Sequence, residues 1–207
     1  MANKAHLVGT VVTEPKFSHE SHNNKFWKFF LNVERMSGVN DVIPCILSDI
    51  NVKDVNNGAR VEIFGEIRTR NIHDNAGNKR LEVYCYVEYV YTDVVPDSDL
   101  NEVSLDGYIV KFSEARKTPK GRIIKDVIIA SNRENNYRSD YIPCIAWGKR
   151  THDVEMLNST NHIIVNGRIQ SRDYIKVLDG VEELRTTYEL SISTVSFADD
   201  GGGIYED

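Results

Sequence analysis

The stretch Asp41-Val42-Ile43-Pro44-Cys45-Ile46 returns about a hundred residues later as Asp140-Tyr141-Ile142-Pro143-Cys144-Ile145. About twenty residues beyond each copy stands a second matched piece, Gly65-Glu66-Ile67-Arg68-Thr69-Arg70-Asn71 and then Gly167-Arg168-Ile169-Gln170-Ser171-Arg172-Asp173. Ahead of each, Gly9 matches Gly107, both closing a short apolar run. Three anchors in one order at nearly one spacing read as two copies of a single unit, and the repeat governs the fold.

The 207 residues thus divide into two domains of about 100, each large enough for one core. The expected boundaries are 1–95 for the first, 96–102 for a linker, 103–198 for the second and 199–207 for an acidic flexible tail. The net charge of -6 is uneven: Lys and Arg stand 11 against 13 acids in residues 1–97, 14 against 14 in 98–198, and 0 against 4 in the tail. That excludes a uniformly basic coat but leaves the second copy free to carry a basic face.

No apolar run approaches the roughly 18 residues of a membrane span, and Met1-Ala2-Asn3-Lys4 lacks an apolar signal core. A cytoplasmic protein that meets no membrane is expected. Cys45, Cys85 and Cys144 form no CxxC pair and read as small core residues rather than a zinc or redox site. The six histidines lack ligand spacing, and His19 and His22 share a polar loop, read as solvated. No GxxxxGK loop, HExxH pair or nucleophile elbow is present, so neither an enzyme nor a cofactor or metal is expected.

Alternation sets the elements. Residues 6–13 suit a bent strand, followed by a polar loop to about Asn24. Lys25 to Arg35 puts Trp27, Phe29, Leu31 and Val33 on a core side and Phe26, Lys28, Phe30, Asn32 and Glu34 on the other. The Asp41 stretch is a third strand, with Ile43, Cys45 and Leu47 inward and Val42, Pro44, Ile46 and Ser48 outward. A short helix within 49–57 ends at Gly58. A long hairpin over 60–91 turns at Asp74–Asn78. The second copy repeats this with strands at 103–112, 122–131, 140–147, 162–175 and 184–196 and a helix near 150–158. Five strands with a helix between the third and fourth is the order of the OB-fold, a five-stranded Greek-key barrel, so the chain is read as all-β with two tandem OB-folds.

In the second copy, the side away from Ile142, Cys144 and Ala146 presents Tyr141, Ile145 and Trp147, with Lys149 just beyond, and the next strand adds Arg168, Gln170, Arg172 and Tyr174. Aromatic rings interleaved with guanidinium groups suit unpaired bases, which stack on rings while Arg holds phosphate. The bland alternative puts Tyr141 and Trp147 in the core and leaves the arginines solvated. Between strands 1 and 2 runs a basic loop with Arg116, Lys117, Lys120 and Arg122, placed to contact phosphate. The first copy has Val42, Ser48 and Ile72 where the second has Tyr141, Trp147 and Tyr174. It offers Phe26, Lys28 and Phe30, with Arg68 and Arg70 on the next strand. Either Phe26 and Phe30 stack bases, or this apolar patch is buried against another subunit, the reading preferred here.

These residues resemble the bacterial single-stranded DNA-binding protein family. Gly65-Glu66-Ile67-Arg68-Thr69-Arg70 with Asp74, Gly77 and Arg80 is similar to the family's fourth strand and hairpin. Tyr141 to Lys149, ending Trp147-Gly148-Lys149, is similar to its third strand, and Tyr174 falls at a base-stacking position. The resemblance spans both copies and looks like the tandem versions of Gram-positive bacteria and phages. It implies sequence-nonspecific coating and protection of single-stranded DNA in replication, recombination or repair, near the nucleoid. It also implies a homodimer presenting four OB domains, with replication or repair proteins as further partners. The terminal Ile204-Tyr205-Glu206-Asp207 departs from the family's usual acidic tail, which ends in an apolar residue. The alternative reading is an OB-fold protein-interaction scaffold of a replication-restart or phage complex, favoured by net acidity and the apolar face of the first copy.

Overall fold

The computed structural model describes residues 3–49, 52–73, 77, 79–93, 95–133, 138–157, 162–178 and 181–198. The tail at 199–207, and all of the 74–78 turn except Gly77, lie outside the described residues. The first copy contributes β1 (Lys4–Val11), β2 (Lys16–Ser21), β3 (Asn24–Glu34), β4 (Asn40–Ser48), β5 (Arg60–His73) and β6 (Lys79–Tyr91). The second contributes β7 (Leu100–Phe112), β8 (Arg116–Lys117), β9 (Ile123–Asn132), β10 (Ser139–Trp147), α1 (Lys149–Glu155), β11 (His162–Leu178) and β12 (Val181–Phe197).

One 12-stranded sheet runs β2-β3-β4-β6-β5-β1-β7-β11-β12-β10-β9-β8, an order that reads as the same series outward from its centre. Each half closes on itself, β1 with β3 and β7 with β9, and a short parallel pairing joins β4 to β6 and β10 to β12. The chain is two tandem OB-folds joined edge to edge by antiparallel β1 and β7, from Lys4↔Ser104 to Val8↔Leu100. The matched glycines explain themselves at the closures. A Cβ on Gly9 would run into the carbonyl oxygen of Asn32, and one on Gly107 into that of Ala130, because β1 and β7 cross a neighbouring strand at backbone distance.

The alternating apolar residues fill one contiguous core, with Leu7, Phe29 and Ile63 in the first copy and Leu105, Ile129 and Ile163 in the second. All three cysteines are buried and free, as read. Several local expectations need correction. The polar segment to Asn24 is the strand β2, which turns into β3 through His22 and Asn23 at φ 52° and 61°. Two left-handed residues make the tight hairpin turn whose twist matches its strands. Between β4 and β5, the described part of the expected helix is a 3₁₀ turn at Val52–Asp54, and β7 begins at Leu100 because pairing with β1 extends it. Pro44, Ile46 and Ile145, expected outward, are buried. Ile46 lies between its neighbours Lys28 on β3 and Tyr86 on β6, and Ile145 between Asp126 and Ser191. Trp27, expected in the core, is only partly buried. It packs against the core and meets Phe17 edge-on at 6.0 Å.

The repeated aspartates clasp the copies together. Asp41 accepts two hydrogen bonds of 2.6 Å from Arg35 and one of 3.0 Å from the backbone N–H of Ser171 in the other copy. Asp140 mirrors it, accepting from Arg133 at 2.6 and 2.8 Å and from the Thr69 N–H at 2.7 Å. Both carboxylates are within 1% of complete burial. Within each copy a matched asparagine, Asn3 or Asn101, brackets the backbone of Ile67 or Ile169 respectively. Removing one partner of a buried ion pair leaves an uncompensated charge, so Asp41→Asn is expected to cost about 3 kcal/mol. Urea unfolding checks this: a midpoint equal to the parent's would show that the clasp carries no stability.

Candidate nucleic-acid interface

On the first copy, β5 and β6 run side by side with Arg68 opposite Tyr84 and Arg70 opposite Glu82. Cys85 faces the core, so alternation puts Tyr84 and Tyr86 on the other side, where Tyr84 is covered at 8% accessibility and Tyr86 is partly exposed. The Arg68 guanidinium lies 3.6 Å above the Tyr86 ring and Arg70 5.4 Å above Tyr84. Phe26, on β3, completes the floor, 6.2 Å from Tyr86 and stacked on His19 at 4.8 Å. These residues line a cleft of about 620 Å³, and its far rim belongs to the second copy through Arg133 and Arg138.

Most cations here are already partnered. Arg68 bonds Glu66 at 2.8 Å, while Lys28 and Arg70 each bond one oxygen of Glu82 at 2.5 Å. Burial alone would raise the Glu82 carboxyl, but Lys28 and Arg70 outweigh it and hold it below its ordinary value. Arg70 also donates to His19 Nδ1 at 3.0 Å. Burial, with Arg70 beside it, pushes the His19 imidazole down, Glu82 opposing, which favours the neutral ring that stacks on Phe26.

A second groove, of about 700 Å³, lies between the copies. Phe30, Pro44 and Ile72 of the first face Tyr174 and Tyr188 of the second, and Arg80 donates to the Thr186 carbonyl across it at 2.8 Å. The apolar patch therefore divides: Phe30 sits in the groove beside the chain's own second copy, Phe26 in the cleft. Lys28 lies 5.0 Å over the Phe30 ring.

On the second copy Tyr141 is exposed, at 55%, while Trp147 is partly buried. Six residues apart on one strand face, they lie on the order of 20 Å from each other. Lys149 is exposed at the start of α1. Arg172 is half exposed, 3.7 Å from Glu189, and Tyr174 is partly buried. In the basic loop Arg116 is paired with Asp126 at 2.7 Å, whereas Lys117, Lys120 and Arg122 are exposed without an ion pair among the described residues. Arg168 departs from the group. It lies near Arg35 and Asp41 of the first copy, its Nε buried without a hydrogen-bond partner among the described residues. Burial, then Arg35, lowers its pKa, with Asp41 opposing. Sequence reading missed Tyr84, Tyr86, His19, Arg133 and Arg138. The Val-Tyr alternation before and after Cys85 was the available signal for the two tyrosines.

Residues 100–198 match the model of the single-strand binding protein family. Single-stranded DNA-binding protein B of Bacillus subtilis is 30% identical over 105 residues, covering 48% of this chain and 90% of that protein. The chain belongs to this family. The single-stranded DNA-binding protein of Clostridium tetani is 30% identical over 108 residues, covering 49% of this chain and 72% of its own. That of Halalkalibacterium halodurans is 33% identical over 81 residues, 36% of this chain. The chain spans about half the length of several relatives it matches, 48%, 51% and 47% in three of them. The fold is shared with the wild-type single-stranded DNA binding protein of Thermus aquaticus, at 18% identity and a TM-score of 0.71, covering 95% of this chain and 92% of that one. No helix among the described residues is long and apolar enough to cross a membrane.

In this family member the lowered His19 pKa is expected to rise in Arg70→Gln, since Arg70 lowers it and Glu82, left with one cation, raises it. An imidazole titration by NMR reads this directly; a value unmoved or further lowered would refute the Arg70 contribution.

Proposed function

We propose that the chain coats single-stranded DNA with little sequence preference, protecting it in replication, recombination or repair in the cytoplasm. The observation that carries this reading is the stacking of Arg68 and Arg70 on Tyr86 and Tyr84 beside Phe26, rimmed by Arg133 and Arg138. Such a surface offers a base the partly exposed rings of Phe26 and Tyr86, over a buried Tyr84, and its phosphate the cations of the rim. The second copy adds Tyr141, Trp147 and Tyr174 with Arg172, and its exposed Lys117, Lys120 and Arg122 stand where a backbone would pass. The proposed units are the domains 1–95 and 103–198, both contributing.

A homodimer completes the reading. Tyr89 and Tyr91 of β6 and Tyr108 of β7 are exposed, 62%, 52% and 41% accessible. A second chain covering these rings would bring four OB domains together. Sedimentation of Tyr89→Lys/Tyr108→Lys is expected to show half the parent mass, and an unchanged mass would place the interface elsewhere.

Binding is tested by titrating oligo-dT at two salt concentrations and following tryptophan fluorescence. Tyr86→Ala, Tyr141→Ala and Tyr174→Ala are each expected to weaken binding by about 1 to 3 kcal/mol. Arg172→Ala is expected to flatten the salt dependence by about 0.7 in log–log slope, one single-strand phosphate. Failure of the parent to bind at low salt would overturn the reading in favour of a protein-binding scaffold.

A further inference from the structure

We propose that Lys28 and Arg70 form a latent phosphate subsite on the first copy, held closed by Glu82 as an internal substitute for a DNA phosphate; this rests on the single-stranded DNA reading above. Glu82 presents one oxygen to each cation at 2.5 Å, the bidentate geometry a phosphate would offer the same two groups. Its side chain is only 9% accessible, while Lys28 and Arg70 retain 28% each, so the anion lies beneath and the cations lie above it, open to a second anion. Both cations already stand beside rings. Lys28 is 5.0 Å over Phe30 in the groove and Arg70 is 5.4 Å over Tyr84 in the cleft. A base stacked on Phe30 in the groove, or on Phe26 or Tyr86 in the cleft, would bring its phosphate toward a cation already bonded to Glu82.

The second copy lacks the device. The parallel pairings Cys45↔Cys85 and Cys144↔Leu190 put Thr187 at the position of Glu82. Arg172 takes the place of Arg70 and is half exposed, with the Glu189 carboxylate 3.7 Å away. Asp126 stands where the first copy has Lys28, so the two copies offer DNA a closed pair of cations and a single open one, Arg172. Stacking dominates on the first copy and phosphate contact on the second.

The experiment uses the full chain and oligo-dT, measuring the slope of log affinity against log salt. Glu82→Gln should tighten binding and steepen the slope by about 0.7, the one cation charge that its single carboxylate offsets. Any acid removed from a DNA-binding surface raises affinity somewhat. The control is therefore Glu20→Gln, an exposed acid lining the same cleft with no ion pair among the described residues, which should leave the slope unchanged. The deciding readout is non-additivity. Lys28→Gln should leave the slope unaltered in the parent and lower it by about 0.7 in the Glu82→Gln background. Equal effects of Lys28→Gln in both backgrounds, or a Glu82→Gln variant that behaves like Glu20→Gln, would overturn the proposal while the DNA-binding reading stands. No binding by parent or variants at low salt would overturn both. Should Glu82→Gln fail to fold, by circular dichroism, Glu82→Asp replaces it. Its shorter carboxylate cannot span both cations, so about half the slope change is expected, and none would overturn the proposal.

Discussion

A carboxylate removed from water must find its compensation inside the protein, and Asp41 and Asp140 each draw theirs from both copies. The cation comes from the same copy, Arg35 or Arg133, and a backbone N–H from the other, Ser171 or Thr69. Neither copy alone can satisfy both. A sheet edge such as β1 could slip by two residues against β7 and keep its facing pattern, but a buried charge with fixed donors admits one register. The clasp therefore sets how β11 lies against β4 and how the Arg133 side of the second copy reaches over the first. The composite cleft and the inter-copy groove are consequences of that register.

Within the shared frame the two outer faces have diverged, and the physics says where divergence is cheap. Core positions are held to volume and apolarity: Cys45 and Cys144 keep the same burial and the same weak Sγ bond to the carbonyl two residues back. The matched glycines keep a backbone crossing that no side chain fits. Outward positions carry no such limit, so Arg68, Tyr84 and Tyr86 of the first copy stand opposite Gln170, Glu189 and Ser191 of the second. Rings absent from one strand return on another. The first copy's are on β6 and β3, the second's on β10 and β11.

The sequence was legible wherever a local period reported a global constraint. Repeat, strand alternation, core and the glycine anchors all answer to burial on one side of a strand, which a period of two records directly. The β2 hairpin was illegible because β2 itself buries no residue and its turn is held by His22 and Asn23 rather than glycine. Tyr84 and Tyr86 could be placed on a strand but not in a site, since what makes them one is Arg68 and Arg70 from a neighbouring strand and Arg133 from the other copy. The burial of Pro44 and Ile46 on the outer side of β4 likewise depends on elements distant in the chain. Nothing in Asp41-Val42-Ile43-Pro44 announced that its first residue reaches the second copy. That fact exists only in the assembled pair.

Net acidity and a nucleic-acid surface are reconciled by where the acids sit. Glu66, Glu82 and Asp126 do not dilute a basic patch from afar; they are bonded to its members, Arg68, Lys28, Arg70 and Arg116. A guanidinium so paired still presents a flat, weakly hydrated face, and lies well on a ring, but releases few counterions when a phosphate arrives. On the reading proposed here, affinity at the first copy then comes chiefly from stacking, which tolerates salt and ignores sequence. The exposed Lys117, Lys120 and Arg122 of the second copy supply the longer-ranged attraction that brings the strand in. The division follows from the placement of a few carboxylates on an otherwise duplicated frame.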